Sequence, residues 1–181
     1  MTLKGKHALV IGLGESGKAA ARFLLAHGAR VTVTDQKSRS ELGPDAEALA
    51  SLGARLELGG HCEAAFAGQD LIVPSPGVPW DLPVLEAARR GGVAVMGELE
   101  IASDWLKGPV IGITGTNGKT TTTSLLGHIL TSAGWRTQTG GNLGTPVLAM
   151  VDPSDDETWN VLELSSFQLE AATRFHVYIA V

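Results

Sequence analysis

One cysteine, Cys62, stands in a chain of 181 residues, which excludes an intrachain disulfide and any Cys-rich metal site. A lone thiol fits a reducing compartment. Positive charge is also short: the formal net charge is −5 and no Lys/Arg run offsets it, which argues against a general nucleic-acid binder. No apolar run approaches the ~20 residues of a membrane span. The start, Met1-Thr2-Leu3-Lys4-Gly5-Lys6, lacks the apolar segment of a signal peptide. These absences make a cytoplasmic protein without nucleic-acid or membrane partners the expectation. Glycine is plentiful, with 23 residues, on an ordinary background of 44% apolar and 18% charged residues. The length allows one domain or two small ones. The chain stops on a strand-like run, Val177-Tyr178-Ile179-Ala180-Val181, and is expected to be the front part of a longer protein.

The first third reads as a βαβ unit. His7-Ala8-Leu9-Val10-Ile11 has the continuous apolar character of a strand covered on both faces. It feeds Gly12-Leu13-Gly14-Glu15-Ser16-Gly17 and then a helical spacing over residues 18–27, with Gly28 placed to end that helix. A second strand, residues 30–35, finishes in Asp35. Glycines at 12, 14 and 17 with an acid at the end of strand two form a dinucleotide-binding fingerprint. The pattern allows a phosphate-bearing ligand to approach the main chain at a helix N-terminus, and leaves open which nucleotide it is. It also leaves open a purely packing role for the glycines. A short helix over residues 45–52, a strand over 55–58 and a buried strand over 70–73 follow. The last runs into Pro74-Ser75-Pro76-Gly77-Val78-Pro79, a sharp turn expected beside the 12–17 loop. A helix over residues 82–90 and a strand over 93–95 close this part. His61 and Cys62 lie two loops from any evident partner and carry no ligand role in this reading.

The expected domain boundary falls near Gly97. Residues 1–97 read as a Rossmann-like α/β domain, and 98–181 as the first part of a P-loop NTPase-type α/β domain. The second domain opens with a connecting helix over residues 98–106. Its centre is Val110-Ile111-Gly112-Ile113-Thr114-Gly115-Thr116-Asn117-Gly118-Lys119-Thr120-Thr121. A β-branched run, a glycine-rich turn, Lys-Thr and a helical segment over 119–133 together suit a polyphosphate. Gly115, Thr116, Asn117, Gly118, Lys119, Thr120 and Thr121 are the candidate phosphate-binding residues. Lys119 places an ammonium against β/γ oxygens, and the Thr120 hydroxyl is positioned for Mg²⁺. Glycines at 112, 115 and 118 depart from the strict P-loop spacing. Gly140-Gly141-Asn142-Leu143-Gly144 reads as a flexible turn, residues 152–157 as an acidic surface loop, and residues 159–162 as a strand delivering Glu163. A carboxylate there holds the metal or its water shell in P-loop proteins, so Glu163 is a candidate catalytic and metal residue beside Lys119 and Thr120. Residues 167–173 read as a helix.

These motifs resemble the Mur ligases of bacterial cell-wall synthesis. The resemblance rests on the 12–17 turn, Ser75-Pro76-Gly77, the 112–121 stretch, Gly140-Gly141-Asn142-Leu143-Gly144 and Glu163-Leu164-Ser165-Ser166-Phe167-Gln168-Leu169-Glu170, and it runs from Leu3 to Val181. The family shares the 112/115/118 glycine spacing. The resemblance implies a monomeric ATP- and Mg²⁺-dependent ligase that adds D-glutamate to UDP-N-acetylmuramoyl-L-alanine through an acyl phosphate. It implies that main chain at Glu15 and Ser16 meets the diphosphate or uracil, with Asp35 and Gln36 at the uracil and Ser75 and Gly77 lining the same pocket. Asn142, Ser165 and Gln168 would contact the muramoyl-alanine portion. The two phosphate loops are expected to face one another. The family's histidine metal ligand, carbamylated lysine and D-glutamate domain lie beyond residue 181, and His176 is not assigned that role. This stretch alone is therefore expected to bind the sugar nucleotide weakly and to turn over little. A NAD-dependent oxidoreductase, resting on the 12–17 fingerprint, and a non-enzymatic nucleotide-sensing module are the alternatives.

Overall fold

Ala8 to Ile11 are all buried in β1 (His7–Ile11), as a strand with helices on both faces requires. The computed structural model describes residues 1–181, the Glu63 side chain excepted. The chain divides into two units, Met1–Glu98 and Leu99–Val181, each built around a parallel sheet. In the first, β1 is followed by α1 (Glu15–Ala26), β2 (Arg30–Asp35), α2 (Arg39–Leu42), α3 (Pro44–Ser51), β3 (Arg55–Leu58), β4 (Leu71–Pro74), α4 (Pro83–Arg90) and β5 (Ala94–Val95). The strand order is β3-β2-β1-β4-β5, and all the pairings are parallel, with Leu9 opposite Thr32 on one side and Ile72 on the other. The order reverses at β1, so the crevice at its carboxyl end, between the loops after β1 and β4, is where ligands bind such sheets. Leu9, Ile11, Ile72 and Leu85 form the core of one face, with Phe66, Val78 and Leu82 packed against them. Each such leucine or isoleucine contributes about 2 kcal/mol by leaving water.

α1 starts at Glu15, three residues before the sequence spacing placed it, with Gly14 as its N-cap and Lys18 N–H donating to Gly14 O at 2.9 Å. The two inner glycines of the fingerprint do different jobs. A Cβ on Gly17 would lie 1.9 Å from Gly12 O, whereas a Cβ on Gly14 would meet nothing within 4 Å. Gly17 is there for close helix–strand packing. Gly14 leaves open space above the loop.

In the second unit, α5 (Glu98–Ala102) leads to β6 (Val110–Ile113), α6 (Lys119–Ser132), β7 (Thr137–Gly141), β8 (Trp159–Glu163), α7 (Ser166–Glu170) and β9 (Ile179–Ala180). The order is β7-β8-β6-β9, again parallel. Leu126 and Leu130, one helical turn apart on α6, pack on Ile111, Ile113 and Val161. α6 approaches the sheet closely because position 127 is glycine: a Cβ there would sit 2.3 Å from Thr139 Oγ1.

Three expectations are corrected here. Gly140 and Gly141 are not turn residues but the last pairs of β7, opposite Leu162 and Glu163. Cβ atoms on them would lie 2.3 Å from Thr145 O and 2.2 Å from Glu163 O, so these glycines mark close main-chain approach, a second meaning of glycine in a strand. Gly112 lies within β6, in the run leading into the loop, and its missing side chain makes room for Val177 and Leu164. The connecting helix ends at Ala102, not residue 106, and α7 ends at Glu170.

Glu100, on α5 and 5% exposed, ties that helix to the segment after α7. Its carboxylate accepts from Thr173 N (2.7 Å) and Oγ1 (2.9 Å) and from Arg174 N (3.0 Å) and Nε (2.6 Å). Among the described residues, no helix is long and apolar enough to cross a membrane.

Candidate functional site

Each sheet carries a glycine-rich loop at the carboxyl end of a strand. In the first unit, Asp35 ends β2 and turns its carboxylate onto the neighbouring loops: Leu13 N–H donates to Oδ2 at 2.7 Å and Lys37 N–H to Oδ1 at 2.8 Å. Gly12 N–H donates to Thr34 O at 2.8 Å. The acid at the end of strand two therefore shapes the 12–17 loop. Ser75 fastens the opposite wall, donating through its N–H to Ile11 O at 2.9 Å and through Oγ to Gly12 O at 3.2 Å.

Between these walls opens a cleft of about 1100 Å³. Asp35, Gln36 and Gly77 line it together with Gly12, against an apolar flank that includes Phe66, Val78 and Leu82. Ser16 and Ser75 meet in an adjoining crevice with Gly17 and Pro76. The Glu15 side chain points away to Lys18, 2.6 Å distant, which also bonds Asp45 at 2.8 Å. Only the main chain of Glu15, at the start of α1, faces the anion-binding end of the helix. His61 also lines the cleft and has a partner, Thr34 Oγ1 at 3.0 Å from Nδ1. The sequence reading set His61 aside, and the signal that could have found it is the Gly59-Gly60 pair before it. Cys62 is exposed.

In the second unit, β6 passes into an exposed loop over residues 114–118 and then into α6. Gly115 (φ +138°) and Gly118 (φ +80°) take conformations that residues with side chains rarely adopt. Gly118 is the N-cap of α6, and the first intrahelical bond recorded runs from Thr122 N–H to Gly118 O at 2.9 Å. The N–H groups just before it thus lack helical acceptors and are free for an anion. Lys119 folds back over this turn, with Nζ 2.8 Å from Gly115 O and 3.5 Å from Thr116 O. Thr116, Asn117 and Thr121 stay exposed around it.

Glu163 is 2% exposed and is met from two further elements. Thr120 Oγ1, at the start of α6, donates to Oε2 at 2.7 Å, and Asn142 Nδ2, just past β7, donates to Oε1 at 3.0 Å. Asn142 N–H donates to Glu163 O at 2.8 Å. Lys119, Thr120, Glu163 and Asn142 thus gather at the carboxyl edge of this sheet. Ser165 and Gln168 instead form the capping box of α7: Gln168 N–H donates to Ser165 Oγ at 3.2 Å and Ser165 N–H to Gln168 Oε1 at 3.0 Å. The Gln168 Nε2 is buried without a partner among the described residues. Among the described residues, no three His, Cys, Asp or Glu side chains gather to hold a metal ion alone. One carboxylate and one hydroxyl beside a phosphate loop are nevertheless the hard-oxygen set that Mg²⁺ takes when nucleotide phosphates and waters complete its shell.

A doubly wound sheet with a polar-edged cleft, followed by a second parallel sheet with a glycine-rich loop between strand and helix, defines an α/β protein of two parallel-sheet units. Residues 6–97 match the Mur ligase MurD-like N-terminal domain and residues 113–181 the Mur ligase middle domain. The chain belongs to the Mur ligase family. The residues behind a dehydrogenase reading, 7–35, fall inside the first of these matches. The chain is 53% identical to UDP-N-acetylmuramoylalanine–D-glutamate ligase of Koribacter versatilis, over 99% of this chain and 40% of that protein. It is 55% identical to the protein of the same name from Acidobacterium capsulatum, over 100% of this chain and 39% of that one. It thus spans about two fifths of the length of these relatives. Among solved structures, the UDP-N-acetylmuramate:L-alanyl-gamma-D-glutamyl-meso-diaminopimelate ligase from Neisseria meningitides shares the fold, with a TM-score of 0.61 at 22% identity, covering 97% of this chain and 59% of that one.

Proposed function

We propose that this chain supplies the sugar-nucleotide unit and the ATP-phosphate unit of a ligase joining D-glutamate to UDP-N-acetylmuramoyl-L-alanine in peptidoglycan synthesis. The observation that carries the reading is identity of 53% and 55%, along nearly the whole chain, to two ligases of that name. The convergence of Lys119, Thr120 and Glu163 supports it chemically.

In this reading the main chain from Gly115 to Thr121 cradles the ATP phosphates. Lys119 exchanges its contact with Gly115 O for the β/γ oxygens, where it meets charge that develops as the γ-phosphoryl group moves. Thr120 and Glu163 would hold Mg²⁺, which would supply charge to neutralise the phosphate oxygens. Asn142 holds the Glu163 carboxylate in one orientation. The substrate carboxylate takes the γ-phosphoryl group and ADP leaves. The amine of D-glutamate then attacks the acyl carbon, loses a proton and expels phosphate. On the other unit, main chain at Glu15 and Ser16 receives the diphosphate, Asp35 and Gln36 border the uracil, and Ser75 and Gly77 form the facing wall. Asn142, Ser165 and Gln168 bear on the muramoyl-alanine portion, and the orphaned Gln168 Nε2 is a donor in need of such an acceptor. The same reading makes the protein a cytoplasmic monomer.

The test is an amino-acid screen in a protein of the relatives' full length. Given ATP and UDP-N-acetylmuramoyl-L-alanine, phosphate should appear only when D-glutamate is present. Phosphate release at the same rate without any amino acid would instead favour a nucleotide switch.

A further inference from the structure

Gly59, Gly60 and His61 follow β3, and the ligase reading leaves them without a task. Both glycines hold positive φ, +86° and +142°, a main chain that other residues rarely adopt. Their N–H groups donate to Asp35 O at 3.1 and 3.2 Å, and Gly59 N–H also reaches Lys37 O at 2.9 Å. This reversal folds the chain back to the end of β2 and sets His61 on the cleft beside Asp35, Gln36 and Lys37.

There the imidazole is held by one atom. Nδ1 lies 3.0 Å from the hydroxyl of Thr34, a residue with no exposed surface. The only other acceptor for that hydroxyl among the described residues is Gly60 O, at a long 3.4 Å. Nδ1 is engaged with that hydroxyl in either tautomer, which leaves Nε2 as the ring's other hydrogen-bonding atom. Nε2 has no hydrogen-bond partner among the described residues. The rest of the cleft offers an apolar flank of Phe66, Val78 and Leu82. A wall of that kind facing a polar edge fits a flat heterocycle whose rim carries hydrogen-bonding groups.

We infer that His61 reads the base of the sugar nucleotide, its Nε2 hydrogen-bonding to the polar rim of the uracil while Thr34 acts as the positioning residue for the ring. The inference rests on the reading of the first unit as the sugar-nucleotide site. A histidine that merely anchored its loop would matter equally for every ligand of the cleft, and the measurement exploits that difference.

Calorimetry on the 181-residue chain with UDP, and separately with inorganic diphosphate, tests it. His61→Ala should weaken UDP binding by about tenfold, the worth of one good hydrogen bond, and leave diphosphate binding unchanged. Thr34→Val keeps the buried volume but frees the ring, and should weaken UDP binding by a smaller factor with diphosphate again unchanged. UDP affinity equal to wild type in His61→Ala, or UDP and diphosphate affinities falling together, overturns the inference. A wild-type chain that binds no UDP removes the reading of the first unit itself, a different result from either.

Discussion

Replacing Lys119 by alanine, in a protein of the relatives' full length, should lower D-glutamate-dependent phosphate release by about 10²–10³-fold, the usual cost of removing a group aimed at developing charge. The lysine sits in the first turn of α6, and among the described residues its ammonium bonds only the carbonyls of Gly115 and Thr116. The fold therefore loses little when it goes, and thermal unfolding should be nearly unchanged. The loss should fall mainly on kcat, because the main-chain cradle formed by Gly115 to Gly118 still holds the triphosphate. Wild-type turnover in this variant would end the phosphate-loop assignment.

Replacing Glu100 by glutamine should cost about 3 kcal/mol of stability and flatten the acid side of the stability profile. Burial by itself would raise the Glu100 carboxyl. The N–H groups of Arg174 and Thr173, then their side chains, outweigh that and hold it at about 2, against an ordinary 4.5. A folded-state value below the unfolded one means that the contribution is whole above about 4.5 and is lost as pH falls toward about 2. The difference, at 1.36 kcal/mol per unit, gives about 3 kcal/mol. Glutamine offers one acceptor and a donor where four donors converge, so the amide faces N–H groups it cannot satisfy. Urea unfolding at pH 7 and at pH 3 checks this: the gap between wild type and variant should shrink at the lower pH. An equal gap at both values would show that the ionised carboxylate is not what holds the segment.

Where the sequence was legible, one physical signal dominated. β1, β2 and β3 begin and end where their residue patterns do: β1 is apolar because it is covered on both faces, β2 and β3 alternate apolar with polar residues, and Gly28 closes the helix between β1 and β2. The Gly-Lys-Thr run marked the phosphate loop and the start of α6 for a similar local reason. β7 was hidden because Thr137, Gln138 and two glycines carry little apolar signal, and its state comes from pairing with β8. α2 was missed because it is only four residues long with no buried residue, and its marks are the Ser38–Glu41 capping box and an exposed Arg39–Glu47 ion pair. In the site, Glu163 was visible as an acid after an apolar strand. Its clasp by Thr120 and Asn142 was not, since those residues lie 43 and 21 positions away. Asp35 was visible as an acceptor, but its actual donors, Leu13 and Lys37, are main-chain groups that no residue type announces.

The contrast between Gly14 and Gly17 bears on how natural variation in this protein is to be interpreted. A side chain at 17 collides with Gly12 O, and one at 14 collides with nothing. Mutational surveys that score cellular abundance should therefore register the former and overlook the latter. If the sugar-nucleotide reading holds, a side chain at 14 would stand where the ligand approaches the loop, and a variant catalogue built on abundance alone would class it as benign.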